Sequence, residues 1–260
     1  MIKNKNFKYI YGPVSSWRLG ASLGIDPLSQ DEKICSFDCI YCQVGETDIL
    51  TLERSVFVET ESILSEVGSL PDVDIDYVTF SGRGEPTLAA NLGEIISGVK
   101  KIKNKPVAVI TNATLLNRGD VKNDLSGCDF VIGKLDAFDE NSFKQINKAH
   151  PNASFLSVVE SIKEFKNIYR GKLGIQIMFV SENAEHAREI ADIVEEIKPY
   201  QVQLNTPLRP CGVSPLTEDE MFNIKKFFKE SNVISVYEAN KKNIEPLSQD
   251  ETFKRRGKIC

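Results

Sequence analysis

The chain has 260 residues, 41% hydrophobic and 27% charged, with a formal net charge of −5. Those are the proportions of an ordinary globular domain with a sizeable core. No apolar run reaches about 18 residues, and the opening Met-Ile-Lys-Asn-Lys-Asn has no apolar signal core, which argues against a membrane span or secretion signal and for the cytoplasm. The acidic balance gives no global pull toward nucleic acid, although Lys254-Arg255-Arg256-Gly257-Lys258 is locally basic.

Along the chain, short β-branched runs alternate with longer amphipathic stretches. Strands are expected at 21–26, 75–80, 106–111, 129–135, 172–180, 200–204 and 233–237. Helices are expected at 58–69, 91–104, 117–125, 154–168, 183–198 and 217–231, each long enough to return the next strand parallel. The last begins Thr217-Glu-Asp-Glu220, a capping box whose two side chains satisfy otherwise orphan backbone donors. The chain is therefore α/β. Six or seven parallel strands are too few for a closed eight-fold barrel, so a partial barrel and a doubly wound sheet both fit. In either, ligands gather at the C-terminal ends of the strands.

The densest chemical signal is Cys35-Ser-Phe-Asp-Cys39-Ile-Tyr-Cys42, three of the six cysteines within eight residues. This is not the spread of a disulfide framework and points to metal ligation in a reducing compartment. Four-iron clusters normally take four cysteines, so three imply an iron open to a non-protein ligand. A structural zinc site would need a fourth ligand, and no further Cys or His stands near 35–42. After strand 75–80 comes Ser81-Gly82-Arg83-Gly84-Glu85-Pro86-Thr87. Its two glycines allow backbone to approach a ligand without a Cβ, and Glu85 is suited to an ammonium group. An open iron and an amine-binding loop on successive strand ends describe a site for an α-amino acid.

Cys35, Cys39 and Cys42 with Tyr41 as the aromatic, followed by Gly82-Arg83-Gly84-Glu85, resemble the radical S-adenosylmethionine (radical SAM) superfamily. The loop is a variant of its Gly-Gly-Glu motif, with Arg83 intervening. Tyr11-Gly-Pro-Val14, Arg18-Leu19-Gly20-Ala-Ser-Leu-Gly24 and Val202-Gln-Leu-Asn-Thr-Pro207 resemble a group described as wyosine-related iron–sulfur oxidoreductases. The resemblance implies a partial (β/α)6 barrel over 1–240, with a cluster loop at 27–45 and a basic tail at 241–260. It also implies that the three cysteines hold a [4Fe-4S] cluster whose fourth iron takes the methionine amine and carboxylate of S-adenosylmethionine. One electron, from a reductant such as flavodoxin or ferredoxin, would then cleave the sulfonium to a 5′-deoxyadenosyl radical. That radical abstracts hydrogen from an RNA, a peptide or a protein side chain. A glycyl-radical-enzyme activase and a non-catalytic electron-transfer protein are the alternatives.

Other strand ends follow from this frame. Asn112 either bonds the ribose or methionyl carboxylate or makes an Asx turn. Lys134 is a candidate carboxylate partner, and Asp136 a candidate ribose acceptor, because they close an apolar strand. Tyr41 is expected on adenine, Gln176 and Met178 on the barrel interior near adenine, with core packing the competing role for Met178, and Asn205 and Thr206 near adenine or substrate. Arg18 is placed near the barrel mouth, as an anion ligand or as edge cover. Cys128 reads as a buried hydrophobe, Cys211 as a strand-end loop residue and Cys260 as unassigned, while His150 and His186 read as surface residues.

Overall fold

The computed structural model describes residues 7–229, 232–240 and 242–257; Lys258 and Cys260 lie outside the described residues. The strands are β1 (Ile10–Ser16), β2 (Gly20–Ile25), β3 (Ile34–Cys35), β4 (Ile49–Leu50), β5 (Tyr77–Phe80), β6 (Val107–Thr111), β7 (Phe130–Lys134), β8 (Lys172–Met178), β9 (Gln201–Asn205) and β10 (Val233–Ser235). The helices are α1 (Thr60–Gly68), α2 (Leu92–Ile102), α3 (Gly119–Ser126), the single turn α4 (Glu140–Ser142), α5 (Phe155–Ile168), the turn α6 (Ser181–Ala184), α7 (Ala187–Ile197), α8 (Glu218–Lys225) and α9 (Gln249–Arg256). None of the described helices is long and apolar enough to cross a membrane.

Eight of the strands form one sheet in the order β1-β2-β5-β6-β7-β8-β9-β10. From β2 to β10 every pairing is parallel. The sheet curls into the expected partial barrel with helices outside. All seven expected strands are present within two residues at either end. The crossovers bury one stripe each: α7 turns Ala187, Ile190, Ala191, Val194 and Ile197 inward, the spacing of one helical face. The Thr217–Glu220 capping box is present, with Thr217 N donating to Glu220 Oε2 at 2.7 Å. The helix expected from 183 starts instead at Ala187, because Asn183 caps the separate turn α6 by accepting from Val180 N at 2.9 Å.

Strand β1 has no counterpart among the expected strands. Gly12-Pro13 interrupts its apolar run, and its antiparallel register with β2 shifts between Tyr11 and Val14. Proline is tolerated there because β1 is the sheet edge. Its start is tied down by Glu66 of α1, which accepts from Lys8 N at 2.9 Å, Tyr9 N at 2.9 Å and Ile10 N at 3.0 Å.

Within the segment expected as a basic tail, residues 242–257 pack on the sheet edge. Leu247 N donates to Gly12 O at 2.7 Å and Gly12 N to Thr252 Oγ1 at 3.1 Å, so α9 and its lead-in cover the open edge of β1. Arg255, part of the basic run noted in the sequence, is 4% exposed. Its Nε lies 3.4 Å from Asp26 Oδ2, and its guanidinium also meets Glu251 and the Lys8 carbonyl. Removing one partner of a buried ion pair strands the other in low dielectric. Arg255→Met is therefore expected to cost about 3 kcal/mol of stability, read as a lowered urea midpoint, whereas a detached tail would show no change.

Candidate active site

Cys35 ends β3, and Cys39 and Cys42 follow in a loop held by backbone bonds. Ile40 N donates to Ile146 O at 3.0 Å, Asp38 N to Asn147 O at 3.0 Å, and Cys42 N to Cys39 O at 3.0 Å. Each sulfur is met by a side-chain N–H from a different element. Asn112 Nδ2 lies 3.8 Å from Cys35 Sγ, Asn147 Nδ2 3.6 Å from Cys39 Sγ and Lys33 Nζ 3.0 Å from Cys42 Sγ. Lys33 is 2% exposed and also donates to Gly45 O at 2.6 Å. Burial, with the Glu85 charge behind it, pushes the Cys35 thiol up to about 12, and burial raises Cys39 as well. Thiols this reluctant to ionise become thiolates when cationic metal supplies the missing charge.

The Gly82–Glu85 loop follows β5 and docks on β3. The sequence reading gave its glycines to ligand approach, but protein fills both Cβ directions. A Cβ on Gly82 would collide with the Asp26 carboxyl group, and one on Gly84, at φ +149°, with the Ile34 carbonyl. Glu85 N donates to Ile34 O at 3.2 Å. The Glu85 side chain is buried and accepts from Thr87 N at 3.1 Å, Thr87 Oγ1 at 2.6 Å and Thr111 Oγ1 at 2.6 Å through Oε1, and from Asn112 N at 2.7 Å through Oε2. Burial raises its pKa, and these donors pull it back down.

Asn112, just after β6, takes the turn role allowed by the sequence and aims its amide at the cysteine loop. Its Oδ1 closes an Asx turn on Thr114 N at 3.1 Å, while its amide NH₂ faces Cys35 and Ser36 Oγ, the latter at 2.8 Å. At the end of β7, Asp136 accepts from Met178 N at 2.7 Å, Asn147 Nδ2 at 3.0 Å and the Tyr41 hydroxyl. Lys134 Nζ lies 2.8 Å from Tyr41 Oη, 4.3 Å from the Tyr41 ring centre and 3.5 Å from Asp136 Oδ2. Burial and the Asp136 charge raise the Tyr41 pKa, so its hydroxyl stays a donor to that carboxylate. Both Asp136 oxygens are thus engaged by protein donors, as both Glu85 oxygens are, and the carboxylate positions Tyr41 and Lys134. Lys134 keeps 17% of its side chain exposed, against 1% for Asp136.

Met178 lies with Tyr41, Ile146 and Val180 in an apolar patch that also meets Cys39 and Cys211. Cys128 is buried in the main core, and His186 stacks on Phe138 at 3.8 Å, away from the cysteines. Lys33 and Asn147 were missed by sequence reasoning. Lys33 lies two residues before Cys35, but nothing local says that its ammonium folds back to Cys42. Asn147 sits in a π-helical turn, Phe143–Asn147, far along the chain.

The Radical SAM superfamily model matches residues 33–194. The chain belongs to the radical SAM superfamily. It is 40% identical over 208 residues to a UPF0026 protein of Synechocystis, covering 80% of this chain and 78% of that protein. A Brachyspira hyodysenteriae protein described as GTPase Obg is 34% identical over 257 residues, 94% of this chain but 38% of that protein. Among solved structures, Streptococcus suis SuiB bound to S-adenosylmethionine superposes with a TM-score of 0.61 at 14% identity, covering 84% of this chain and 50% of that one. Archaeal TYW1 superposes with a TM-score of 0.56 at 17% identity, covering 84% and 74%. At those identities the likeness is one of fold.

Radical SAM membership implies an iron–sulfur enzyme that uses S-adenosylmethionine. The three thiols fit such a group chemically, being soft ligands whose sulfurs each face an N–H. Among the described residues no three His, Cys, Asp or Glu side chains are drawn close enough to share a single metal ion. A polynuclear cluster instead takes one thiolate per iron.

The Asp136–Asn147–Tyr41 network makes a stability prediction independent of any cofactor. Asn147→Leu leaves buried Asp136 and Tyr41 short of a donor, which is expected to cost about 1–3 kcal/mol, measured by urea unfolding of the metal-free protein.

Proposed function

We propose that Cys35, Cys39 and Cys42 hold a [4Fe-4S] cluster and that the protein uses it to cleave S-adenosylmethionine reductively. The three sulfurs met by three N–H donors carry this reading, supported by the loop and strand-end residues that converge beside them. When bound and reduced by a donor such as flavodoxin or ferredoxin, such a cluster would supply one electron for homolytic cleavage of S-adenosylmethionine, with hydrogen abstraction from substrate as the outcome.

The chain's own residues do the rest. Gly84 and Glu85 seat the loop on β3 and Gly82 seats it on Asp26, which leaves the loop's backbone, beside the donor-filled Glu85 carboxylate, to take the methionine amine. Asn112 positions Cys35 and offers its amide to the cofactor's polar groups. Lys134, partly open and steered by Asp136, presents an ammonium to the methionine carboxylate. Tyr41 forms an aromatic wall beside Cys42. Burial of Tyr41, Met178 and Val180 excludes water from a site where a carbon radical would otherwise react with any nearby C–H bond.

The test is anaerobic reconstitution with iron and sulfide, reduction with dithionite, and mass spectrometry of 5′-deoxyadenosine. Wild type is expected to release it from S-adenosylmethionine and Cys39→Ala to release none. A well-formed cluster without cleavage would replace this reading with electron transfer.

Lys33→Met provides a second measurement. An ammonium beside the Cys42 sulfur stabilises the more negative, reduced state. Its removal is expected to shift the midpoint potential negative by tens of millivolts in an EPR-monitored redox titration, with iron and sulfide content retained.

A further inference from the structure

A second feature opens beside Cys42. A cavity of about 550 Å³ lies between the edge strand β1, the loop after β9 and helix α9, and Gln43, the residue after Cys42, forms part of its wall. Asn205 and Thr206, at the C-terminal end of β9, also line it. Three arginines line this space: Arg18 from the turn between β1 and β2, Arg209 from the loop after β9 and Arg256 from the last turn of α9. They come from three separate parts of the chain, and α9 is what brings the third one in.

Among the described residues, no Asp or Glu lines the cavity. The contrast with the neighbouring Arg255 is sharp, since Arg255 points the other way and is paired with Asp26 and Glu251. Arg18 stacks on Trp17, with its guanidinium carbon 4.3 Å from the ring centre, and its Nε is buried without a hydrogen-bond partner. Ser15 Oγ, in the same wall, is also buried without a partner. Arg209 donates to the carbonyl of Arg256, which fixes the two side by side. Burial, followed by the charges of Arg256 and Arg209, pushes the Arg18 pKa down to about 9, and burial pushes Arg209 down to about 10. Three cations gathered without a counter-charge oppose one another and are costly to hold.

We infer that this cavity is a substrate subsite for the phosphate group of a small phosphorylated molecule, a phosphomonoester or diphosphate, held by Arg18, Arg209 and Arg256. Guanidinium forks match phosphate oxygens in pairs, and a multiply charged phosphate balances three cations where a single carboxylate would leave two unmatched. The volume is that of a small-molecule site, roughly 300–1,000 Å³. A net charge of −5 gives no global attraction to a long nucleic acid. The position beside Cys42 would set the rest of the molecule toward the cysteine loop; calling it a substrate subsite rests on the proposed radical chemistry, whereas phosphate binding itself does not.

The test is anaerobic titration calorimetry of the cluster-loaded protein with inorganic pyrophosphate, AMP and citrate. It is repeated for Arg18→Gln, Arg209→Gln and, as a surface control, Arg118→Gln, with thermal unfolding and iron content showing that each variant is folded. Pyrophosphate is expected to bind, with at least tenfold weaker affinity in Arg18→Gln and in Arg209→Gln and no change in Arg118→Gln. Arg209→Lys, which keeps the charge and loses the fork, is expected to fall between, and it serves if a glutamine variant does not fold. No pyrophosphate binding, equal binding in all variants, or tighter binding of citrate than of pyrophosphate would overturn the inference. 5′-Deoxyadenosine yield is read in the same samples. Cleavage without phosphate binding sinks only this subsite, and phosphate binding without cleavage sinks only the radical reading.

Discussion

The buried Glu85 carboxylate is the constraint on which the rest of the site depends. A carboxylate removed from water is tolerable only when donors replace its hydration. Here Thr87, Thr111 and the Asn112 backbone supply four of them. Through those bonds the loop after β5, the end of β6 and, by way of Glu85 N and Ile34 O, strand β3 become one unit. Asn112, held at its backbone by Glu85, is thereby aimed at Cys35 with its side chain. The geometry of the first cysteine thus follows from the charge of a residue fifty positions later.

A second buried carboxylate repeats the device on the opposite side. Asp136 gathers Met178 N, Asn147 Nδ2, Tyr41 Oη and Lys134, and Asn147 in turn reaches Cys39. Each of these cysteines is thus steered by an amide that is itself positioned by an anion. The third is met directly by the ammonium of Lys33. Interlocked polar groups of this kind are costly when half-satisfied and rigid when complete. Rigidity is what a site handling a reactive carbon radical requires.

Two neighbouring regions of the barrel mouth differ in electrostatic character. The cysteine loop sits between two carboxylates that have ample donors, whereas the neighbouring cavity is lined by three arginines and, among the described residues, by no acid. Helix α9 sets this difference by pairing Arg255 inward with Asp26 and turning Arg256 toward the cavity. Adjacent residues a helical step apart face different surroundings, so a run of basic residues divides into a structural ion pair and an open cation.

What the sequence by itself determined was the alternating strand and helix order, the capping box at Thr217, the cysteine trio and the Gly–Glu loop. Those signals are local: strand runs, helix periodicity and motif spacing act over a few residues. The edge strand β1 escaped because Gly12-Pro13 hides its alternation, and only pairing with β2 and α9 makes it a strand. The tertiary structure alone decided which protein groups fill the Cβ directions of Gly82 and Gly84, that both Asp136 oxygens meet protein donors, and that Lys33 and Asn147 meet sulfur. It also decided that the basic C-terminal segment closes a cavity. All of these depend on which distant side chain fills a given space, and the solvation of a buried charge is set by that arrangement rather than by its sequence neighbours.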